Sequence, residues 1–182
     1  VKYSCIQSLR EAGSPVIIVA AILEAEAIVI ACRNNGIVVS AFCDSEKRKS
    51  QDLFCGLEVI HTPTLPERFS KARFIIAYHN IPACVEQLFA LGYDEFYSGL
   101  ELLENYDVDK HQHRTSQSYM ETRISVYKKN HEVYFGEEKI YMRSVDVMIT
   151  TKCSLKCVSC SNLMQYYVDA KNTDHEKILA AV

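Results

Sequence analysis

Tryptophan is missing from this chain altogether, and glycine and proline are sparse, with 6 and 4 copies in 182 residues. So low a content of the two residues that break regular structure excludes collagen-like, proline-rich and other low-complexity architectures. No run of about 18 apolar residues occurs, so no membrane-spanning helix is expected. The longest apolar run, Pro15 to Leu23, stops at Glu24 and Glu26. Lys2 and Arg10 precede no apolar segment with a small-residue cleavage site, so no signal peptide is expected and the location read from the sequence is cytoplasmic. A basic excess is also missing. Twenty Lys and Arg stand against 23 Asp and Glu, a net charge of −3, which argues against nucleic acid as a partner. What the chain has is 48% apolar and 24% charged residues, enough to bury a core.

The apolar residues fall in alternating short runs. Val16 to Ala20 is a β-branched run after Ser14-Pro15 and reads as a buried strand. Leu23, Ala27 and Ile30, with Ala25, Ile28, Val29 and Cys32, follow helical spacing to Asn34-Asn35-Gly36, where Gly36 supplies a left-handed C-terminal cap. Ile37 to Cys43 reads as a second strand ending at Asp44, and Glu46 to Asp52 as a charged loop. Gly56 to Ile60, Arg73 to Tyr78 and Asp94 to Tyr97 complete five strands, with a helix from Asn80-Ile81-Pro82 to Gly92. Strands alternating with helices predict an α/β domain with a Rossmann-like parallel sheet over residues 1–103. Residues 104–121 are polar and read as a linker in which His111 and His113 are solvated. Arg123 to Lys128 and Glu132 to Phe135 alternate, which predicts a small β meander. Lys139 to Arg143 continues it, and Val145 to Ile149 reads as a further strand. Thr173 to Glu176 has the pattern of a capping box, with Ile178, Leu179 and Val182 as the stripe of a final helix.

Of eight cysteines, Cys5, Cys32, Cys43, Cys55 and Cys84 are scattered, and those at 32, 43 and 84 stand in apolar patterns where cysteine acts as a small hydrophobe. Cys153, Cys157 and Cys160 are clustered as C-x3-C-x2-C directly after the Val145–Ile149 strand. Iron–sulfur clusters are held by thiolates, and three of them on one loop leave one iron of a 4Fe–4S cube without a protein ligand. The same three cysteines would also serve a zinc ion with a fourth ligand such as His175 or Cys5, or a closed electron-transfer cluster with a fourth ligand from elsewhere. They would also stand as plain thiols.

In spacing, in the preceding strand and in the polar approach Thr150-Thr151-Lys152, residues 145–160 (VDVMITTKCSLKCVSC) resemble the radical S-adenosylmethionine superfamily. The resemblance implies a 4Fe–4S cluster on Cys153, Cys157 and Cys160, with S-adenosylmethionine on the open iron. It implies reductive cleavage of that cosubstrate to a 5′-deoxyadenosyl radical, which abstracts hydrogen from a small-molecule or peptide substrate. An electron donor of the flavodoxin or ferredoxin kind is implied as a partner. The family carries an aromatic residue just before the last cysteine, where this chain has Ser159. By the same resemblance, residues 122–182 are the β meander plus the first β/α unit of a partial barrel that this chain leaves incomplete. Tyr166-Tyr167, after the cysteine loop, would either cover the cluster or pack in the barrel core, of which packing is the preferred reading.

The first domain, in the runs VIIVAA, FCD, GLEVI and FIIAYHN, is similar to the nucleotide-binding-like N-terminal domains of sugar O-acyltransferases. Aligned on G-x-G-x-x-G, however, its first strand-to-helix turn places Ala20, Ile22 and Ala25 at the glycine positions. Ile22 obstructs a pyrophosphate and Glu24 repels it, which predicts a degenerate nucleotide site. A second function class stays open on these residues: a non-enzymatic nucleotide- or sugar-nucleotide-binding module with structural zinc. His61, His79 and Asn80 lie at strand ends and read as turn and capping residues.

Overall fold

The structure is a computed structural model that describes residues 1–3, 5–11, 13–135, 150–154, 157–158, 166–174 and 176–177. The chain divides into two compact units, Val1–Tyr141 and Met142–Val182.

The first unit is α/β. A short helix α1 (Ile6–Arg10) precedes strand β1 (Val16–Val19), whose four residues are all buried. Helix α2 (Leu23–Asn34) returns to β2 (Val39–Asp44). Gly36 follows the helix at φ 70, the left-handed conformation that a residue without Cβ adopts at no steric cost. A 3-10 helix (Lys47–Gln51) leads to a hairpin of β3 (Leu53–Phe54) and β4 (Leu57–His61). After a 3-10 turn (Thr62–Thr64) come α3 (Leu65–Arg68), β5 (Arg73–Ile76), α4 (Ile81–Ala90), β6 (Glu95–Ser98) and α5 (Leu100–Leu103). A last 3-10 turn (Val108–Lys110) precedes the 19-residue helix α6 (Gln117–Phe135). Among the described residues no helix is long and apolar enough to cross a membrane.

The strands form one six-stranded sheet in the order β3-β4-β2-β1-β5-β6. All pairs are parallel except β3 with β4. The expected all-parallel sheet is therefore a mixed, mostly parallel one, since Cys55 (φ 51) and Gly56 (φ 78) make a two-residue turn of the kind that closes antiparallel hairpins. Lys2 adds a parallel bridge to Tyr97 on β6, and Glu101 accepts the backbone N–H groups of Cys5 and Ile6 at the start of α1. That long-range cap gives structure to a stretch without sequence periodicity.

Side chains alternate across the sheet into two cores. Val16 and Ile18 of β1, Phe42 of β2 and Ile75 of β5 face one core with α2, α5 and α6. Ile17, Val19, Cys43, Phe74 and Ile76 face the other, with Leu65, Ile81 and Leu88 from α3 and α4.

Two readings of the sequence are corrected by this packing. Residues 123–135 are helical, not a meander. Met120, Ile124, Tyr127 and His131, spaced 4, 3 and 4 apart, form one fully buried stripe at 0–6% exposure. The β-branched alternation of Arg123 to Lys128 loses to burial of that stripe. Residues 104–116 are not a solvated linker either. Val108 is buried, Tyr106 stacks on His111 at 5.1 Å, and the Arg114 N–H donates to Glu26 Oε1 at 3.0 Å. The His113 side chain is only 2% exposed, 4.0 Å from Glu26. The segments expected as strands at 139–143 and 145–149 lie outside the described residues.

Helix α6 is fastened at two levels. Arg123 pairs at 2.6 Å with the buried Glu24 in the first turn of α2, where the helix dipole already favours an anion. Deeper, the Tyr127 hydroxyl donates to the Ile76 carbonyl (2.9 Å) and accepts the Gly99 N–H (2.8 Å). Ser98 Oγ accepts the Leu100 N–H at 3.2 Å and lies within hydrogen-bond distance, 2.8 Å, of His131 Nδ1.

Two predictions follow from this fastening. Burial pushes the His131 imidazole down to about 4. Its unfolded counterpart titrates near 6.5, so between these values the unfolded chain binds a proton that the native one refuses. Stability is full above about pH 6.5 and falls by up to roughly 3 kcal/mol as pH drops toward 4. Urea unfolding across that range measures the slope, and His131→Gln flattens it. At Gly99 an added Cβ meets Ile28 Cδ1 and the Tyr127 hydroxyl at 2.8 Å. Gly99→Ala accordingly costs about 1–3 kcal/mol in the same assay, whereas the alanine would be harmless if α6 docked loosely.

Candidate functional site

The second unit holds the cysteine segment. Its described ends are zipped together. Thr150 and Asn172 form an antiparallel bridge, and Thr150 Oγ1 donates to Asn172 Oδ1 at 2.9 Å. The Thr151 N–H donates to the Lys171 carbonyl (2.9 Å), and the Lys171 N–H donates to Thr151 Oγ1 (2.8 Å). The Lys152 N–H turns back onto Thr150 Oγ1 at 3.1 Å. The described ends of the cysteine segment are thus joined by hydrogen bonds.

Cys153 and Cys157 both lie on this segment and are exposed. Cys160 and Ser159 lie outside the described residues. Among the described residues no group of three or more His, Cys, Asp or Glu stands together as a metal site. Tyr166 and Tyr167 do not pack in a core: they are 72% and 42% exposed, beside a fully exposed Val168. Within the segment expected as a capping box, Asp174 Oδ1 accepts the Glu176 N–H at 3.0 Å. His175 lies outside the described residues.

The scattered cysteines contrast with the loop. Cys5, Cys32, Cys43 and Cys84 are buried and Cys55 half-buried. Burial pushes the thiols of Cys32 and Cys43 up to about 12, those of Cys55 and Cys84 up to about 11, and that of Cys5 higher still. These five stay protonated and inert. Cys5, a possible zinc ligand by sequence, is fully buried.

The first unit carries a second feature at the carboxyl edge of its sheet. The strand order reverses between β1 and β5, and open α/β sheets bind ligands at such a switch point. A cleft of about 220 Å³ lies there, lined by Ala20 and Ile22 after β1, Asp44 and Lys49 after β2, Thr62 after β4, and Tyr78 after β5. Ala20 has φ 74, the left-handed conformation expected of the first glycine in a dinucleotide turn. The turn has the left-handed backbone of a glycine turn with alanine in that place.

Asp44 holds the cleft together. Buried to 7% exposure, it accepts the Ala21 N–H at 2.9 Å on Oδ2 and the Glu46 N–H at 2.9 Å on Oδ1, while Lys49 Nζ lies 2.9 Å from Oδ2. One carboxylate thus caps two turns, the one after β1 and its own. Lys49 also reaches Glu46 at 3.6 Å. Asn80 caps α4 as its position predicts, accepting the Ala83 N–H at 3.3 Å, and the rings of Tyr78 and His79 lie 4.1 Å apart. Thr62 and Tyr78 have no mark in the sequence. A lone threonine and tyrosine at strand ends carry no spacing signal, and only the strand order brings them to Asp44.

In comparison with known proteins, the chain matches no family model, no curated protein and no solved structure.

The Ala20 turn gives a direct check on backbone strain. Ala20→Gly relieves the left-handed cost of about 1–2 kcal/mol and adds back about 0.5–1 kcal/mol of chain entropy, leaving a net gain of at most about 1.5 kcal/mol. Ala20→Val, β-branched at positive φ, lowers stability by more than about 1 kcal/mol. Chemical denaturation of the two variants beside the parent measures both.

Proposed function

We propose that the chain is a radical S-adenosylmethionine protein whose cluster loop is the segment Cys153 to Cys160. The observation that carries the reading is a contrast among thiols. The two described loop cysteines are exposed, while the five scattered ones are buried or half-buried with their thiols held protonated. Cluster ligands must be thiolates that an incoming iron can reach. The donor set therefore fits the group: Cys153, Cys157 and Cys160 would hold a 4Fe–4S cluster and leave one iron open. Such a cluster, when bound, supplies the electron that cleaves S-adenosylmethionine reductively for hydrogen abstraction from substrate.

The chain's own contribution at this loop is organisation. The Thr150–Asn172 bridge and the Thr151–Lys171 bonds join the ends of the segment before any ligand arrives, so that gathering three sulfurs costs less chain entropy than in an open segment. Lys152, its N–H tied to Thr150, fixes where the backbone turns into Cys153. The donor set favours this reading over structural zinc, which more often uses two separated C-x2-C pairs and needs a fourth ligand.

Anaerobic reconstitution with iron and sulfide followed by electron paramagnetic resonance tests the reading. A brown protein results, with a reduced-cluster signal that shifts when S-adenosylmethionine is added, and Cys157→Ser abolishes both. A colourless protein that holds zinc instead overturns the proposal. A cluster whose signal ignores S-adenosylmethionine would be a closed electron-transfer centre and overturns it as well.

A further inference from the structure

We propose that the cleft at the sheet's switch point is a binding site for a phosphate-free, hydroxyl-bearing ring molecule of nucleoside size. The proposal concerns the first unit alone and does not rest on the cysteine loop.

The size is set by the cavity. The cleft of about 220 Å³ has room for one or two rings. The walls supply both kinds of contact that such a ring needs. Val19, Ile22 and Tyr78 present apolar surface, and Tyr78 is 38% exposed with its ring 4.1 Å from that of His79. Thr62, 98% buried by its 2% exposure, and Asp44 bring a hydroxyl and a carboxylate to the same cavity. The Asp44 carboxylate has about four acceptor positions, of which Ala21, Glu46 and Lys49 occupy three. The Ala21 and Glu46 bonds come from the backbone and hold the oxygens in place. The Lys49 bond comes from a flexible, partly exposed side chain that a ligand hydroxyl can replace.

The ion pairs give phosphate little to bind. Asp44 and Glu46 share the ammonium of Lys49, and Glu46 also pairs with Arg48. The Lys49 ammonium in the cleft lining is thus already committed to carboxylates, which gives a phosphoryl group little positive charge to bind. The turn after β1 offers it no glycine approach either, because Ile22 lines the cavity there. Ala20 at positive φ is the kind of backbone outlier that is retained where a binding surface needs it.

Titration of the full chain with adenosine, ribose and adenosine diphosphate, followed by backbone amide NMR, tests this. Adenosine shifts the amides of Val19, Ala20, Asp44 and Thr62, and adenosine diphosphate binds at least about fivefold more weakly. Tyr78→Ala, a change at a partly exposed ring that leaves the fold intact, weakens adenosine about tenfold. Asp44→Asn weakens adenosine and narrows its margin over the diphosphate. Ribose binding as well as adenosine supports the hydroxyl site and assigns it to a sugar ring rather than a nucleoside. The proposal is overturned if neither adenosine nor ribose moves these amides at millimolar concentration, or if the diphosphate binds as tightly as adenosine. Loss of adenosine binding in Cys157→Ser would overturn its assignment to the cleft.

Discussion

A parallel sheet has to be covered on both faces, and most of this structure follows from that requirement. Every residue of β1 and β5 is buried, so neither face tolerates water. On one side α3 and α4 suffice. On the other, α2 covers the centre and the four-residue α5 covers little, and the sheet recruits α6 to close the gap. The helix reaches the carboxyl ends of β5 and β6 through Tyr127 and His131, where polar backbone groups would otherwise be buried unpaired. The Glu24–Arg123 pair and the packed segment before α6 fix the angle at which it arrives.

The parallel strands and helices α2 and α4 of the α/β domain were legible because short β-branched runs and glycine caps are local signals. Val16–Val19, Val39–Asp44, Arg73–Ile76 and Glu95–Ser98 fall where the runs place them, within a residue or two. What was illegible depends on partners far away in the chain. Helix α1 is capped by Glu101, and residues 104–116 look like linker until Glu26 and Asn34 are seen to hold them. In α6 two periodicities compete, and the sheet face selects the stripe Met120-Ile124-Tyr127-His131 over the shorter alternation. At the candidate sites the cysteine spacing was plain in sequence, because three ligands on one loop are necessarily close in number. The cleft was partly visible, through the degenerate turn at Ala20, while Asp44 read only as the end of its strand. Thr62 and Tyr78 join them only through strand order.

The two units pose different chemical problems. In the first, the buried Asp44 works as structure and lining at once. In the second, the described cysteines, Cys153 and Cys157, are exposed, and hydrogen bonds join Thr150 and Thr151 to Lys171 and Asn172. A thiol becomes useful for ligation by being exposed, and the buried cysteines of the first unit show the opposite use of the same side chain.

The ends of the sheet carry one more consequence. A parallel sheet with a bare margin is a template on which a second chain can add its own strand. Here β3 is two residues long, antiparallel and turned sharply by Cys55 and Gly56, while the opposite margin is met by Lys2 bridging Tyr97. Neither margin therefore presents a long run of open backbone donors and acceptors. A chain with so many β-branched residues is guarded against edge-to-edge aggregation by two inexpensive devices, a truncated hairpin and a single lysine at its beginning.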